Sequence, residues 1–373
     1  MHLFLIDLYI SLDMLSPIMN EINPKKVLIC NIHPIQDYKK NKITEFILKA
    51  GAKYYNYLPL ANDKKILYFL LKIILLFPCV ILNKLRFIWL LTYKKICFSS
   101  EKKIETFLIK NNVKSINFEE GAPLIVTSKI YNVAKKLNIP TIKIASGLRT
   151  GNFNKIGKSQ LKNCDYYLSP NQVRGERKNE IKRGKIKYFG SLRYSKKWML
   201  QLRKIFILKK EVPSKKIKIG IFKKFYDSET IKVNQLIARL SKQNYLLKSR
   251  EKPRDVSPLK CTKFYNDSLI SSQLIDWSDV ILAYRSSSLL VEAIINDKKI
   301  ILLEFINKNI KKSAIYNFKF ILKAKKEKDI KKLLTKKIKI KRSEKMKFIN
   351  KFLIDYYNYK SMSRNYKNFY NNL

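Results

Sequence analysis

Short apolar runs and stretches of helical period take turns along most of this chain, and that alternation confines it to a narrow class of folds. Residues 27–32, VLICNI, are unbroken apolar sequence apart from one asparagine, the pattern of a strand buried on both faces. Residues 41–52, NKITEFILKAGA, then place Ile43, Phe46, Ile47 and Ala50 on one helical face, with Gly51 near the end as a stop. KYYNYLPL (53–60) is a second strand closed by proline. Strand, helix and strand in this order form a βαβ unit, whose strands must lie parallel. The opening residues, MHLFLIDLYISLDMLSP, lack a basic leader and a small-residue cleavage site, so they read as a strand entering a helix and not as a signal peptide.

The rhythm resumes after residue 100. Helices are expected over 103–112 and 123–138, and strands over 113–120, 139–146, 163–171 and the first part of 185–198. A Gly-punctuated basic loop fills 147–159, and a connecting helix or linker runs to about residue 215. A second block then opens with KIKIGIF (216–222), continues through strands 245–250, 280–285 and 299–305 with helices between them, and closes with Lys-rich helices and a last helix over 343–361. No internal repeat is visible. The expectation is an α/β protein of two Rossmann-like domains facing a cleft: residues 1–200, residues 215–340, and a helical segment at 341–373.

Residues 64–95 break the rhythm. ILYFLLKIILLFPCVIL is apolar except for Lys72 and carries Pro78, and basic and aromatic side chains flank it. It is marginal in length for a bilayer span, with a charge near its middle. It suits a helical hairpin lying on an anionic membrane, with an ordinary buried helix pair as the plain alternative.

Charge carries less information than its size implies. Lys and Arg number 78 against 28 Asp and Glu, a net +50, which favours an anionic partner. Lys, Ile, Asn and Tyr are all abundant and share A/T-rich codons, so base composition alone accounts for a Lys surplus. Arg goes against that bias, and ten of the 13 arginines lie between Arg149 and Arg285. Arg meets phosphate with several coplanar donors, so the middle of the chain is where a phosphate is expected. The cysteines, Cys30, Cys79, Cys97, Cys164 and Cys261, are scattered and contain no C-x-x-C pair, which argues for a reducing compartment and against zinc. With His2 and His33 the only histidines, a histidine-based triad or metal site has little to draw on.

The densest cluster of chemistry is WSDVILAYRSSSLLVEAIINDKKIILLE (277–304). A buried strand runs into Ser286, Ser287 and Ser288, where a helix starts; serines there cap the helix, and its first amides form a phosphate site. Arg285 adds charge at the mouth, and Glu292, one turn into the helix, can accept from a sugar hydroxyl. A capped helix of any α/β protein is the plain alternative. This run resembles the donor-site segment of GT-B glycosyltransferases. Residues 163–198, with Asp165 to Leu168 and then Gly190 to Trp198 as G-S-x-R-Y-x-x-x-W, are similar to the end of the N-terminal domain in bacterial surface-carbohydrate transferases, including glycerophosphotransferase and Kdo-transferase types. The resemblance spans about residues 110–305 and implies a metal-independent transferase without cofactor. Its partners would be a nucleotide-sugar donor and a glycan or lipid-linked acceptor, in the cytoplasm at the inner membrane face.

Departures accompany the resemblance. Where relatives carry a histidine loop, this chain has Lys248, Ser249, Arg250, Glu251, Lys252, Pro253 and Arg254; where a His-Gly pair is common, it has Ser146-Gly147. Lys248, Arg250 and Arg254 are expected on the donor phosphates, and Ser146, Gly147, Arg149 and Arg193 at an anion site in the cleft. Glu119 and Glu120 end a strand at the cleft and are the candidates for the base, with His33 and Asp37 as runners-up. Two other functions compete: a UDP-sugar epimerase of GT-B shape, disfavoured by the scarcity of histidine, and a nucleic-acid-binding protein, prompted by charge alone and lacking any legible binding motif.

Overall fold

The computed structural model describes residues 1–7, 9–32, 37–56, 101–122, 124–145, 147–148, 161–171, 185–206, 215–222, 229–243, 245–250, 262–263 and 271–373. The apolar segment 64–95 lies outside them. Two wholly parallel sheets organise the chain. The first has seven strands: β1 (His2–Ile6), β2 (Val27–Asn31), β3 (Lys53–Asn56), β4 (Ser115–Glu119), β5 (Thr141–Ile144), β6 (Tyr166–Ser169) and β7 (Ile186–Tyr188), in the order β3-β2-β1-β4-β5-β6-β7. The second has six: β8 (Ile217–Phe222), β9 (Tyr245–Arg250), β10 (Thr262–Lys263), β11 (Val280–Ala283), β12 (Lys299–Leu303) and β13 (Leu322–Ala324), in the order β10-β9-β8-β11-β12-β13. In each, the winding direction reverses beside the first strand, between β1 and β4 and between β8 and β11, which is where open parallel sheets bind ligands.

The described helices of the first domain are α1 (Tyr9–Glu21), α2 (Lys42–Lys49), α3 (Glu101–Lys110) and α4 (Leu124–Lys136). The connection carries α5 (Lys196–Ile205). The second domain holds α6 (Thr230–Ser241), α7 (Ser271–Trp277), α8 (Ser288–Ile295), α9 (Asp329–Thr335) and α10 (Arg342–Phe352), and α11 (Tyr359–Asn371) ends the chain. Local sequence accounts for their ends. Asn41 caps α2 by accepting from Ile43 N at 2.9 Å, and Gly51 follows in the left-handed region at φ +107°. The central strands are buried on both faces, β1 and β2 throughout, because helices cover both sides of the sheet.

Two features depart from the sequence expectation. β10 and β13 are edge strands of two and three residues, too short to leave a periodicity. The single helix expected over 343–361 is two. It breaks at Leu353, which is extended, and Asp355, left-handed at φ 53°, a conformation that Asp tolerates better than most residues. The reason is tertiary. Phe348 and Phe352 of α10 bury in the second domain, whereas Met362, Tyr366 and Tyr370 of α11 bury in the first. Between them the chain crosses the domain junction, where Ile354 N donates to Pro170 O at 3.0 Å and Asn171 Nδ2 to Lys351 O at 3.1 Å. Gly190, at φ +74°, makes the crossing possible: a Cβ there would stand 2.5 Å from Ile354 O and 2.8 Å from Met362 Sδ.

α11 is fastened to the first domain by Glu21 at the end of α1. Its carboxylate accepts from the Tyr359 and Ser363 hydroxyls and pairs with Lys367 at 3.1 Å and Lys197 at 3.5 Å. Burial alone would raise this carboxyl, but the Ser363, Tyr359 and Lys367 bonds outweigh it and hold it down at about 2, from an ordinary 4.5. The stability this adds is present above pH 4.5 and is lost as pH falls toward 2. Replacing Glu21 by Gln should cost about 2 kcal/mol by urea unfolding near neutral pH. The gap from wild type should close on titration through that acid window.

Candidate functional site

The carboxyl ends of the two sheets meet at one place. Gly147, just past β5, lies against Ser288, the first residue of α8 beyond β11, whose Oγ would be 3.3 Å from a Cβ on Gly147. Leu148 is buried with Tyr194, Leu290 and Ile275 in the second domain's core, and the Tyr194 hydroxyl bonds with Ser288. A first-domain loop thus closes over the start of α8. Ser287 caps that helix, accepting from Leu289 N at 3.3 Å, and Ser286 Oγ lies 2.9 Å from Ser313 Oγ. Arg285, half buried, pairs with Glu229 at 2.5 Å, so its charge at the cleft is already matched by a carboxylate.

Beneath this surface one buried arginine joins the domains. Arg193 stands on the 3-10 turn Leu192–Tyr194, between β7 and α5, with its side chain 2% exposed. Its Nε pairs with Asp13 of α1 at 2.7 Å, and its Nη2 reaches Glu292 of α8 at 3.3 Å and Ser272 Oγ of α7 at 3.1 Å. The guanidinium lies 5.2 Å from the Tyr194 ring centre. Burial works against the Arg193 charge, and Asp13 and Glu292 more than offset it. Burial also pushes the Glu292 carboxyl above its ordinary value, which Arg193 and the Ser272 hydroxyl only partly reverse.

This arrangement changes the placement of three residues. Arg193, expected at an anion site in the cleft, is enclosed by protein carboxylates. Glu292, expected to meet a sugar hydroxyl, is buried on the side of α8 that faces Arg193 and α7. Lys248, expected on donor phosphates, lies with its ammonium 4.6 Å from the Trp277 ring centre, at the far end of α7. Asp13 and Ser272 hold Arg193, and Glu229 holds Arg285; nothing in the sequence signalled these partners, because they lie 56 to 180 positions away.

The base candidates sit at the end of β4. Glu119 is 1% exposed and folds over Gly121, where a Cβ would come within 2.9 Å of its carboxylate. Glu120, half buried, accepts from the Tyr167 hydroxyl at 2.9 Å. Asp37 accepts from Tyr54 at 2.6 Å. His33, Ser146, Arg149, Arg254 and the side chain of Arg250 lie outside the described residues. Among the described residues, no group of three His, Cys, Asp or Glu is placed to hold a metal ion, and no helix is long and apolar enough to cross a membrane.

No protein-family model and no curated protein matches the chain by sequence. Its shape does match solved structures. UDP-GlcNAc 2-epimerase from Neisseria meningitidis, bound to UDP-GlcNAc, superposes with a TM-score of 0.56 at 13% identity, covering 100% of this chain and 99% of that one. The glycotransferase of kitacinnamycin superposes with 0.56 at 8% identity and the same coverage. CalG4, the calicheamicin glycosyltransferase, gives 0.50 at 7% identity, covering 99% and 96%. The chain has the GT-B fold. The match runs over 96–99% of the length of those proteins.

Removing Arg193 alone would leave the buried Glu292 and the half-buried Asp13 without their shared cation. Arg193→Met should therefore destabilise the protein by about 3–5 kcal/mol. Arg193→Met combined with Glu292→Gln should recover part of that loss in a double-mutant cycle read by thermal or urea unfolding.

Proposed function

We propose that this protein is a glycosyltransferase, or a related glycerophosphotransferase-type enzyme, that moves a group from a nucleotide donor to a surface-polysaccharide acceptor. The observation that carries the reading is the meeting of the two carboxyl edges at Gly147 and Ser288, which puts the start of α8 at the junction of a GT-B cleft. In this reading the amides and hydroxyls of Ser286, Ser287 and Ser288 receive the donor diphosphate, and Arg285 turns from Glu229 toward it. Arg250, Arg254 and Arg149 are proposed to supply further positive charge without a metal, and Ser146 a further hydroxyl. Glu292 stays beneath, fixing α8 through Arg193.

Of the carboxylates that end β4, Glu120 keeps solvent contact and is the proposed base, with Glu119 shaping the loop behind it. In an inverting transfer the acceptor hydroxyl oxygen forms the new bond to the sugar's anomeric carbon and gives its proton to Glu120. The old carbon–oxygen bond breaks, and its electron pair leaves with the nucleotide phosphate. The acceptor is a glycan or lipid-linked carrier at the inner face of the cytoplasmic membrane, to which the protein binds peripherally.

A UDP-sugar epimerase is the second reading, favoured by the N. meningitidis enzyme among the fold neighbours. A nucleotide-sugar panel separates the two. Acceptor-dependent nucleotide release supports transfer, and interconversion of the sugar without acceptor supports epimerisation. Turnover with no donor in either format overturns both. Ser288→Asp, which sets a negative charge where the diphosphate would lie, should weaken UDP binding at least tenfold by calorimetry while leaving the unfolding temperature close to wild type. Gly147→Val, wedged against Ser288, should lower turnover by a similar factor.

A further inference from the structure

The second domain carries a strip of positive charge that the cleft does not use. Between residues 325 and 347 there are twelve basic and three acidic residues, about three times the net charge density of the whole chain, so overall composition does not account for it. Two of the three acids are engaged: Glu327 pairs with Arg239 at 3.1 Å, and Asp329 accepts from the backbone of Lys325 and Lys326 at 3.0 and 2.8 Å, while Glu344 lies in the first turn of α10. The centre of the strip is the extended segment 336–341, KKIKIK, which links α9 to α10. Ile338 and Ile340 pack against the domain core, so alternation turns Lys337, Lys339 and Lys341 outward in a row spaced on the order of 7 Å, with Lys336 exposed beside them. Where the row enters α10, Arg342 is exposed, Met346 is 37% exposed, and Tyr357, close enough to Arg342 to feel its charge, is 55% exposed.

From this juxtaposition we infer that the 336–341 row and the start of α10 form a docking surface for an anionic lipid bilayer. Lysines that outnumber their acidic neighbours are drawn to a negative headgroup layer, and a thioether and a phenol standing among them can enter its interface. A linear polyanion would be held by the lysines alone and would leave Met346 and Tyr357 without a role. The inference rests on the peripheral-membrane part of the function proposed above only for its partner, and vesicle binding is read without turnover. Its failure would leave the transfer reading standing.

The test is co-sedimentation of the full chain with phosphatidylcholine vesicles, with or without phosphatidylglycerol, over a salt series. Binding should require phosphatidylglycerol and fall with salt. Replacing Lys336, Lys337, Lys339 and Lys341 together by Gln should lower partitioning about tenfold or more. The same number of Gln substitutions at the exposed first-domain residues Lys49, Lys53, Lys102 and Lys110 should leave it within about twofold. Met346→Ser with Tyr357→Ser should remove the fraction that survives high salt. Equal loss from both lysine sets, no preference for phosphatidylglycerol, or binding to soluble polyphosphate that the 336–341 substitutions abolish while vesicle binding persists would each overturn it.

Discussion

One guanidinium holds the two halves of this molecule in register. Arg193 sits on the strand-to-helix turn that leads out of the first domain, takes one carboxylate from α1 and another from α8, and is sealed from water. A buried ion pair is a poor source of net stability, because desolvating its members costs about what their attraction returns. What it supplies is specificity. Asp13 and Glu292 belong to different domains and share one guanidinium, so neither domain can shift without parting a buried charge from a partner. The geometry is therefore fixed by what separation would cost more than by what contact gains.

The C-terminal segment works on the same junction from the other side. α10 belongs to the second domain, α11 to the first, and the link between them passes Gly190 at a distance that excludes any side chain. Gly190, Arg193, Ser195 and Trp198 occupy one short stretch for four separate reasons. The glycine admits the crossover and the arginine pins the domains. The serine caps α5 by accepting from Trp198 N at 3.2 Å, and the tryptophan fills the core against Phe46. The motif visible as G-S-x-R-Y-x-x-x-W is thus a domain joint, three positions of which serve architecture and not a ligand.

That distinction marks how far the sequence could be read. Strands such as VLICNI and KIKIGIF declared themselves because burial on both faces demands continuous apolar residues, and the order of strands and helices implied parallel sheets. The serines before α8 were legible because capping is local chemistry. The roles of Glu292, Arg193 and Lys248 were not, since each depends on a partner far along the chain: Asp13 and Ser272 for the first two, Trp277 for the lysine. Local pattern finds a charged residue near a cleft. Only tertiary packing decides whether it faces the solvent or another side chain. The break between α10 and α11 was hidden for the same reason, since no glycine or proline marks it.

Composition then gives these contacts their weight. With 28 acidic residues against 78 basic ones, carboxylates are the limiting group. Those described are largely committed to order: Glu21 to the last helix, Asp13 and Glu292 to the joint, Asp276 to Arg203, and Asp165 to Thr141 at the entry to β5. Each one removed takes away a specific bond and also adds a unit of uncompensated positive charge to a chain that already repels itself. Exposed lysines such as those of the 336–341 row have no such allotment and face the solvent, where they act collectively and at the mercy of salt. An anion, whether a diphosphate in the cleft or a lipid surface outside it, is therefore the one kind of partner that relieves this protein's own electrostatic strain as it binds.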